Sequence, residues 1–269
     1  MHPPPVLDCT ADYMTICEAV GGTAVEILKG ADCIGNDEPL VALSILPDKL
    51  RPHDTYAVVF SVSHCIADGW TYYKLLSMLS EDGNILPMNA TRKHSITLHG
   101  KIAMGEDEAG WLYGCGTMCN VVCSMLYGSK ALVESYILDA DKINVEKAKA
   151  KEDDVDFVST NDILTSSFGV ATDADVLLMP INFREKLSGF TEHDAGNYEG
   201  ALIFTPADYG KPSLIRKTLS TGPPAFLRGG NVASKADLPS CCATMGCRIS
   251  MVTNWTFSCF SEVKLEGSK

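Results

Sequence analysis

Ser63-His64-Cys65-Ile66-Ala67-Asp68-Gly69-Trp70 sets a histidine, an aspartate and a glycine where the hydrophobic pattern changes period. Upstream, Tyr56–Ser63 is short, β-branched and aromatic, the pattern of a buried strand. Downstream, Trp70–Leu79 carries apolar residues at helical spacing. The octapeptide is therefore a strand-to-helix turn. His64 leaves the strand directly and can project into a cleft, and Gly69 is expected to let the backbone turn sharply beside a ligand. Imidazole, with an ordinary pKa of about 6.5, suits proton transfer at neutral pH. In a chain with six histidines, His-x-x-x-Asp arises by chance roughly 0.4 times, and with the following Gly about 0.04 times. The pattern is weak alone, and a satisfied structural histidine is the competing reading. Position at the strand end gives it weight.

This segment resembles the His-x-x-x-Asp-Gly signature of acyltransferases that use coenzyme A or carrier-protein thioesters. That group includes chloramphenicol acetyltransferase, condensation domains and the plant-type BAHD enzymes. Three later segments resemble the family in the same order. Ser159-Thr160-Asn161-Asp162-Ile163-Leu164 is similar to the BAHD Ser-Thr-Asn-Asp-x-Leu helix start. Asn182-Phe183-Arg184, then Leu187 and Gly196-Asn197-Tyr198, resembles an Asn-x-Arg strand and a Gly-Asn-Tyr loop. Val252-Thr253-Asn254-Trp255 resembles the Thr-Ser-Trp stretch that precedes Asp-Phe-Gly-Trp-Gly. In place of that last motif the chain reads Lys264-Leu265-Glu266-Gly267-Ser268, and it looks shortened at both ends.

The resemblance implies an α/β, two-lobed chloramphenicol-acetyltransferase-like fold, with mixed β-sheets flanked by helices and an incomplete N-terminal lobe. Residues 1–128 would form the lobe carrying the motif and 129–269 the second, with the active site in a channel between them. It implies His64 as general base and Asp68 paired with Arg184 to brace the turn, with Gly69 and Asn182 as further support. Asn197 is expected to be a loop hydrogen-bonder. Thr253 and Trp255 would hold a tetrahedral oxyanion, or else belong to an edge strand with a packed tryptophan. Acyl-CoA is then a co-substrate, no cofactor is permanently bound, and the acceptor is a small molecule with a hydroxyl or amine. Two other readings stay open: condensation with a carrier-protein-bound acyl group, and a truncated, non-catalytic homologue that binds a ligand or a partner chain covering the shortened lobe.

Composition bounds these readings. The chain has 269 residues, 46% hydrophobic and 21% charged, which suits a protein with a substantial core. A net charge of −12 disfavours nucleic acid and anionic membrane surfaces. Coenzyme A is also polyanionic, so its site would need local positive charge, for which Arg92-Lys93 and Arg216-Lys217 are candidates; each pair otherwise reads as solvated surface. The N-terminus lacks a basic region followed by an apolar run, so a cytoplasmic, reducing location is expected. Eleven cysteines form no familiar disulfide framework. Cys115, Cys119 and Cys123 stand four apart in Trp111–Tyr127, expected to be a buried or interfacial helix, too short for a membrane span. No histidine completes a zinc site there, so small buried residues are expected and no metal; Cys241-Cys242 and Cys247 make no paired metal-ligand pattern.

Elsewhere the pattern predicts helices over Tyr13–Lys29 and Asp141–Lys151, strands at Tyr136–Leu138, Val176–Phe183 and Ala201–Thr205, and loops at Asn84–Gly110 and Ser188–Tyr198. Glu152–Asp156 reads as an acidic break, Thr160 or Asn161 as the next helix cap, and Gly222–Pro224 and Gly229-Gly230 as loop punctuation. Gly-x-Ser-x-Gly, phosphate-loop, dinucleotide-binding and His-Glu-x-x-His motifs are absent.

Overall fold

Val176–Asn182 is apolar without alternation because both of its faces are covered. In the structure, a computed structural model that describes residues 6–21, 27, 30–93, 96–129, 132, 134, 136–150, 155–222, 228, 237–254 and 264, it is a buried strand. Helices and strands are mixed, and the chain packs as two units.

The first unit consists of the chain up to Arg92, the returning segment His193–Asn197, and Lys264. It holds α1 (Tyr13–Val20), the antiparallel pair β1 (Val41–Pro47) and β2 (Tyr56–Val62), and α2 (Gly69–Ser77). Asp12 starts α1 by accepting from the Thr15 N–H at 3.1 Å. Leu7 and Leu46 are the buried centre, covered by Ile16, Val20, Ala57 and Val59. The strand expected to be buried at Tyr56–Ser63 is β2, half-buried over Ala57–Val62 instead, because among the described residues its sheet has two strands. Tyr72 joins α2 to β2: its ring stacks on Phe60 and its hydroxyl donates to the Phe60 carbonyl at 3.2 Å. Burial pushes that phenol's pKa up.

The second unit contains α3 (Ile96–Met104), α4 (Glu106–Leu112), α5 (Cys115–Tyr127), α6 (Ala140–Ala150), α7 (Thr160–Ala171), β3 (Val176–Asn182), β4 (Glu199–Phe204), α8 (Pro206–Tyr209), α9 (Pro212–Thr221), α10 (Cys241–Thr244) and β5 (Ile249–Met251). Strand order is β4-β3-β5, with β3 antiparallel to β4 and parallel to β5. Pro180, which has no N–H to give, lies beyond the Val176–Leu178 stretch that β5 covers. One face of β3 packs Leu177 and Met179 with Phe183, Phe204 and Ile215. The other packs Val176 and Leu178 with Ile203, Leu238 and Trp111.

Several expectations are corrected. The predicted loop at Asn84–Gly110 contains α3 and most of α4, and the expected helix over Trp111–Tyr127 is broken at Tyr113-Gly114. Tyr136–Leu138 is exposed and forms no strand; β-propensity does not make a strand without a neighbour to complete its backbone bonds. Cys115 and Cys123 are exposed rather than buried, and α5 buries Gly116, Thr117 and Asn120 instead. The cap of α7 is Ser159, not Thr160 or Asn161. Part of the predicted Tyr13–Lys29 helix, most of the acidic break, Pro223-Pro224 and Gly229-Gly230 lie outside the described residues, while Gly222 ends α9.

Candidate functional site

His64 is exposed, at the end of β2 in a turn closed by the Ile66 N–H donating to the Ser63 carbonyl at 3.0 Å. The turn is tied at its base. The Ser63 N–H donates to the Leu40 carbonyl at 2.8 Å, and the Cys65 thiol to the Gly30 carbonyl at 3.2 Å. Arg92 donates to the Cys65 carbonyl at 3.4 Å, which holds a cationic group beside the residue after His64.

Asp68 is buried and is the N-cap of α2. Its Oδ1 accepts from the Thr71 N–H at 2.9 Å, satisfying one of the backbone donors a helix start leaves free. Gly69 is the first residue of that helix and has no left-handed φ, so the expected sharp glycine turn is not made there. The glycine conformation appears in the opposing segment instead: Gly196 has φ 151°, which disfavours any residue with a Cβ.

Gly196 and Asn197 grip the turn from a distance of more than 120 residues in sequence. The Gly196 carbonyl accepts from the Asp68 N–H at 3.2 Å and from the Thr71 hydroxyl at 3.0 Å, and the Gly196 N–H donates back to that hydroxyl at 3.1 Å. Asn197 Nδ2 donates to the His64 carbonyl at 2.5 Å. The Asn197 Oδ1 is buried and has no hydrogen-bond partner among the described residues. Behind this segment, Asn89 donates from its N–H to His193 and from Nδ2 to Asp194, and its carbonyl accepts from Ala195. The backbone that carries His64 is thus held from both sides. Its ring stays exposed.

Arg184 and Asn182 lie in the second unit and act together. Asn182 Oδ1 accepts from the Arg184 N–H and from its Nη1, each at 3.0 Å, and the guanidinium lies 5.2 Å over the Tyr198 ring. Arg184 is only 3% exposed. Lys186 donates to the Asn182 carbonyl at 3.0 Å, and burial lowers its pKa. Thr253 follows β5 and is exposed; Trp255 lies outside the described residues.

The Ser-Thr-Asn-Asp segment is a structural device. Ser159 and Asp162 form a reciprocal capping box, and the wholly buried Asp162 also receives Arg216 Nη2 at 2.6 Å and Nε at 2.8 Å. Arg216 is therefore bound in an ion pair and stacked on Phe157 at 4.5 Å, not a solvated surface cation. No three His, Cys, Asp or Glu side chains among the described residues are grouped to hold a metal ion. No described helix is long and apolar enough to cross a membrane.

Thr71 is a residue of this candidate site that the sequence did not point to. A hydroxyl at the third helical position after an N-cap aspartate is the local signal that was present. Its partner Gly196 carried no sign of that pairing.

No protein-family profile matches the sequence, and no curated protein does. Among solved structures, vinorine synthase is similar at 16% identity and a TM-score of 0.46, covering 85% of this chain and 54% of that one. The first condensation domain of the CDA synthetase is similar at 16% identity and a TM-score of 0.32, covering 62% of this chain and 39% of that one. The first condensation domain of the calcium-dependent antibiotic synthetase, in complex with a substrate analogue, is similar at 12% identity and a TM-score of 0.36, covering 80% and 51%. The chain thus spans about half the length of the first of these, 54%.

Proposed function

We propose that this chain is an acyltransferase that moves an acyl group from an acyl-CoA thioester to a hydroxyl or amine of a small-molecule acceptor, with His64 as general base. The observation that carries the reading is the clamp on its turn: an exposed imidazole on a backbone fixed by Asp68, Thr71, Gly196 and Asn197. A base must meet the acceptor's proton in a fixed geometry as attack begins, and this anchoring supplies such a base without burying it.

In the proposed reaction His64 takes the acceptor proton as the acceptor oxygen or nitrogen attacks the thioester carbonyl. The tetrahedral oxyanion is held by donors that the family resemblance assigns to Thr253 and Trp255. Collapse expels the thiolate, which recovers the proton from His64, so no covalent enzyme intermediate forms. Asp68 acts on the turn, as helix cap and, by the resemblance, as partner of Arg184, with Asn182 orienting that guanidinium. Arg92 adds positive charge beside the turn, which suits a polyanionic donor despite the chain's net charge of −12.

The test is incubation of wild type and His64→Ala with acyl-CoA donors and mixed alcohol and amine acceptors, with free coenzyme A and acylated acceptor measured by mass spectrometry. Acceptor-dependent release that vanishes in the variant supports the proposal. Turnover only with carrier-bound donors would make it a condensation enzyme. Absence of all turnover from folded wild type would make it a non-catalytic homologue.

A further inference from the structure

β1 leaves one edge open. The Ser63 N–H donates to the Leu40 carbonyl at 2.8 Å and the Asp48 N–H to the Thr55 carbonyl at 2.9 Å, so in the β1–β2 register the even-numbered residues of β1 bond to β2. Val41, Leu43 and Ile45 therefore turn their N–H and C=O groups away from β2, where none of these groups has a partner among the described residues. Their side chains share one face of the ribbon with Val58, Phe60 and Val62, and they are 45%, 53% and 66% exposed. Natural edge strands are blunted by charges, bulges or proline; between Pro39 and Pro47 this one carries none of them. The two prolines stand symmetrically about Leu43, and neither has an N–H to give. Beyond Pro47 the edge is already taken, because the Leu7 N–H donates to the Pro47 carbonyl at 3.3 Å and the Leu7 carbonyl accepts from the Lys49 N–H at 2.6 Å. Charge follows the same symmetry. Exposed Asp37 and Glu38 precede β1 and exposed Lys49 and Arg51 follow it, while the buried Asp48 carboxylate is engaged by the N–H groups of Cys9, Leu50 and Arg51.

We infer that β1 is a dimerisation edge, pairing antiparallel with β1 of a second copy of this chain about a two-fold axis at Leu43. Val41 then opposes Ile45 of the second copy and Leu43 opposes Leu43, each pair exchanging both of its N–H···O bonds, and two ribbons become one four-stranded sheet with a continuous apolar face. This register uses every outward backbone group between the prolines. The same two-fold sets the acidic end of β1 in one copy against the basic end in the other, on both sides of the axis. A foreign strand could also add to an open edge, but only a second copy explains why prolines and opposite charges are placed symmetrically about one residue. β1 has 7 residues, against roughly 20–30 a side in a standard interface, so a weak dimer with a Kd of about 10–100 µM is expected.

The test is sedimentation velocity of the full chain, kept reduced, from about 5 to about 500 µM, over which monomer should pass to dimer. Amide hydrogen exchange at the two ends of that range should show added protection at Val41, Leu43 and Ile45, and none at Ala42, Ser44 and Leu46, whose bonds to β2 are already made. Leu43→Lys, at an exposed position, should be folded by circular dichroism and monomeric throughout. Asp37→Lys/Glu38→Lys and Lys49→Glu/Arg51→Glu should each weaken self-association about tenfold, and mixing the two variants should restore it as a heterodimer. Folded wild type that stays monomeric across the range, a dimer that survives Leu43→Lys, protection that arises elsewhere, or mixed charge variants that fail to associate would overturn the inference.

Discussion

The amide of Asn197 donates to the backbone carbonyl of His64 across 133 positions of sequence, so the residue that carries the histidine is held by a segment that returns much later in the chain. Substituting Asn197 should therefore act on the reaction more than on the fold. Asn197→Ala is expected to lower kcat by ten- to hundredfold, in line with the ~10²-fold that a 1 Å misplacement can cost, with donor KM little changed. Loss of one hydrogen bond costs about 1 kcal/mol of stability. Steady-state kinetics beside urea unfolding measure both, and an unchanged kcat would exclude a positioning role.

Thr71 carries the rest of the clamp through one hydroxyl that both donates to and accepts from Gly196. Thr71→Val preserves shape and removes both bonds. A destabilisation of about 1–3 kcal/mol is expected, while Thr71→Ser, which keeps the hydroxyl, should lie closer to wild type. Chemical denaturation of the two variants separates lost hydrogen bonding from lost packing.

These contacts mark what sequence could and could not disclose. The turn at His64 was legible because its cause is local: a strand pattern stops and a helix pattern begins within a few residues. Val176–Asn182 was legible because a long apolar run has few alternatives in a mixed fold. The clamp was not, since nothing in Thr71 or Gly196 announces a partner 125 positions away. α3 and α4 were hidden by Gly100, Gly105 and Gly110, which interrupt the apolar spacing of helices that tertiary packing nevertheless forms. At the start of α7 three successive residues can cap, and only the reciprocal bond to Asp162 selects Ser159.

Asp162 also makes the second unit dependent on a single buried carboxylate. Asp162→Ala removes the cap's reciprocal bond and strands Arg216, whose side chain is only 21% exposed. Breaking one partner of a buried pair costs about 3–5 kcal/mol. Arg216→Met leaves the wholly buried Asp162 charge without its cation and should also destabilise strongly; in the double variant Asp162→Ala/Arg216→Met, where neither charge is left stranded, part of that loss should return. A double-mutant cycle by urea unfolding checks this, and additive single effects would count against coupling.

Acid sensitivity in the first unit should trace to Asp48. The Cys9 N–H donates to Oδ2 at 2.9 Å, and the Leu50 and Arg51 N–H groups to Oδ1 at 2.9 and 2.8 Å. The bond from Cys9 is the largest cause of a lowered pKa; burial opposes it, and the Arg51 and Leu50 donors reinforce the lowering. Because the folded pKa lies below the unfolded one, the unfolded chain takes up the proton first as pH falls. The stabilisation is therefore complete above the ordinary carboxylate pKa of 3.8 and is lost as pH drops through the lower folded value. Asp48→Asn keeps one acceptor oxygen and cannot titrate. Wild type should exceed it in stability at neutral pH, and the gap should close only below the ordinary carboxylate range. Urea midpoints of both proteins across the acid range decide the matter: a gap that stays constant down to full protonation would show that the carboxylate's charge plays no part in holding Leu7, Cys9 and the β1–β2 connection together.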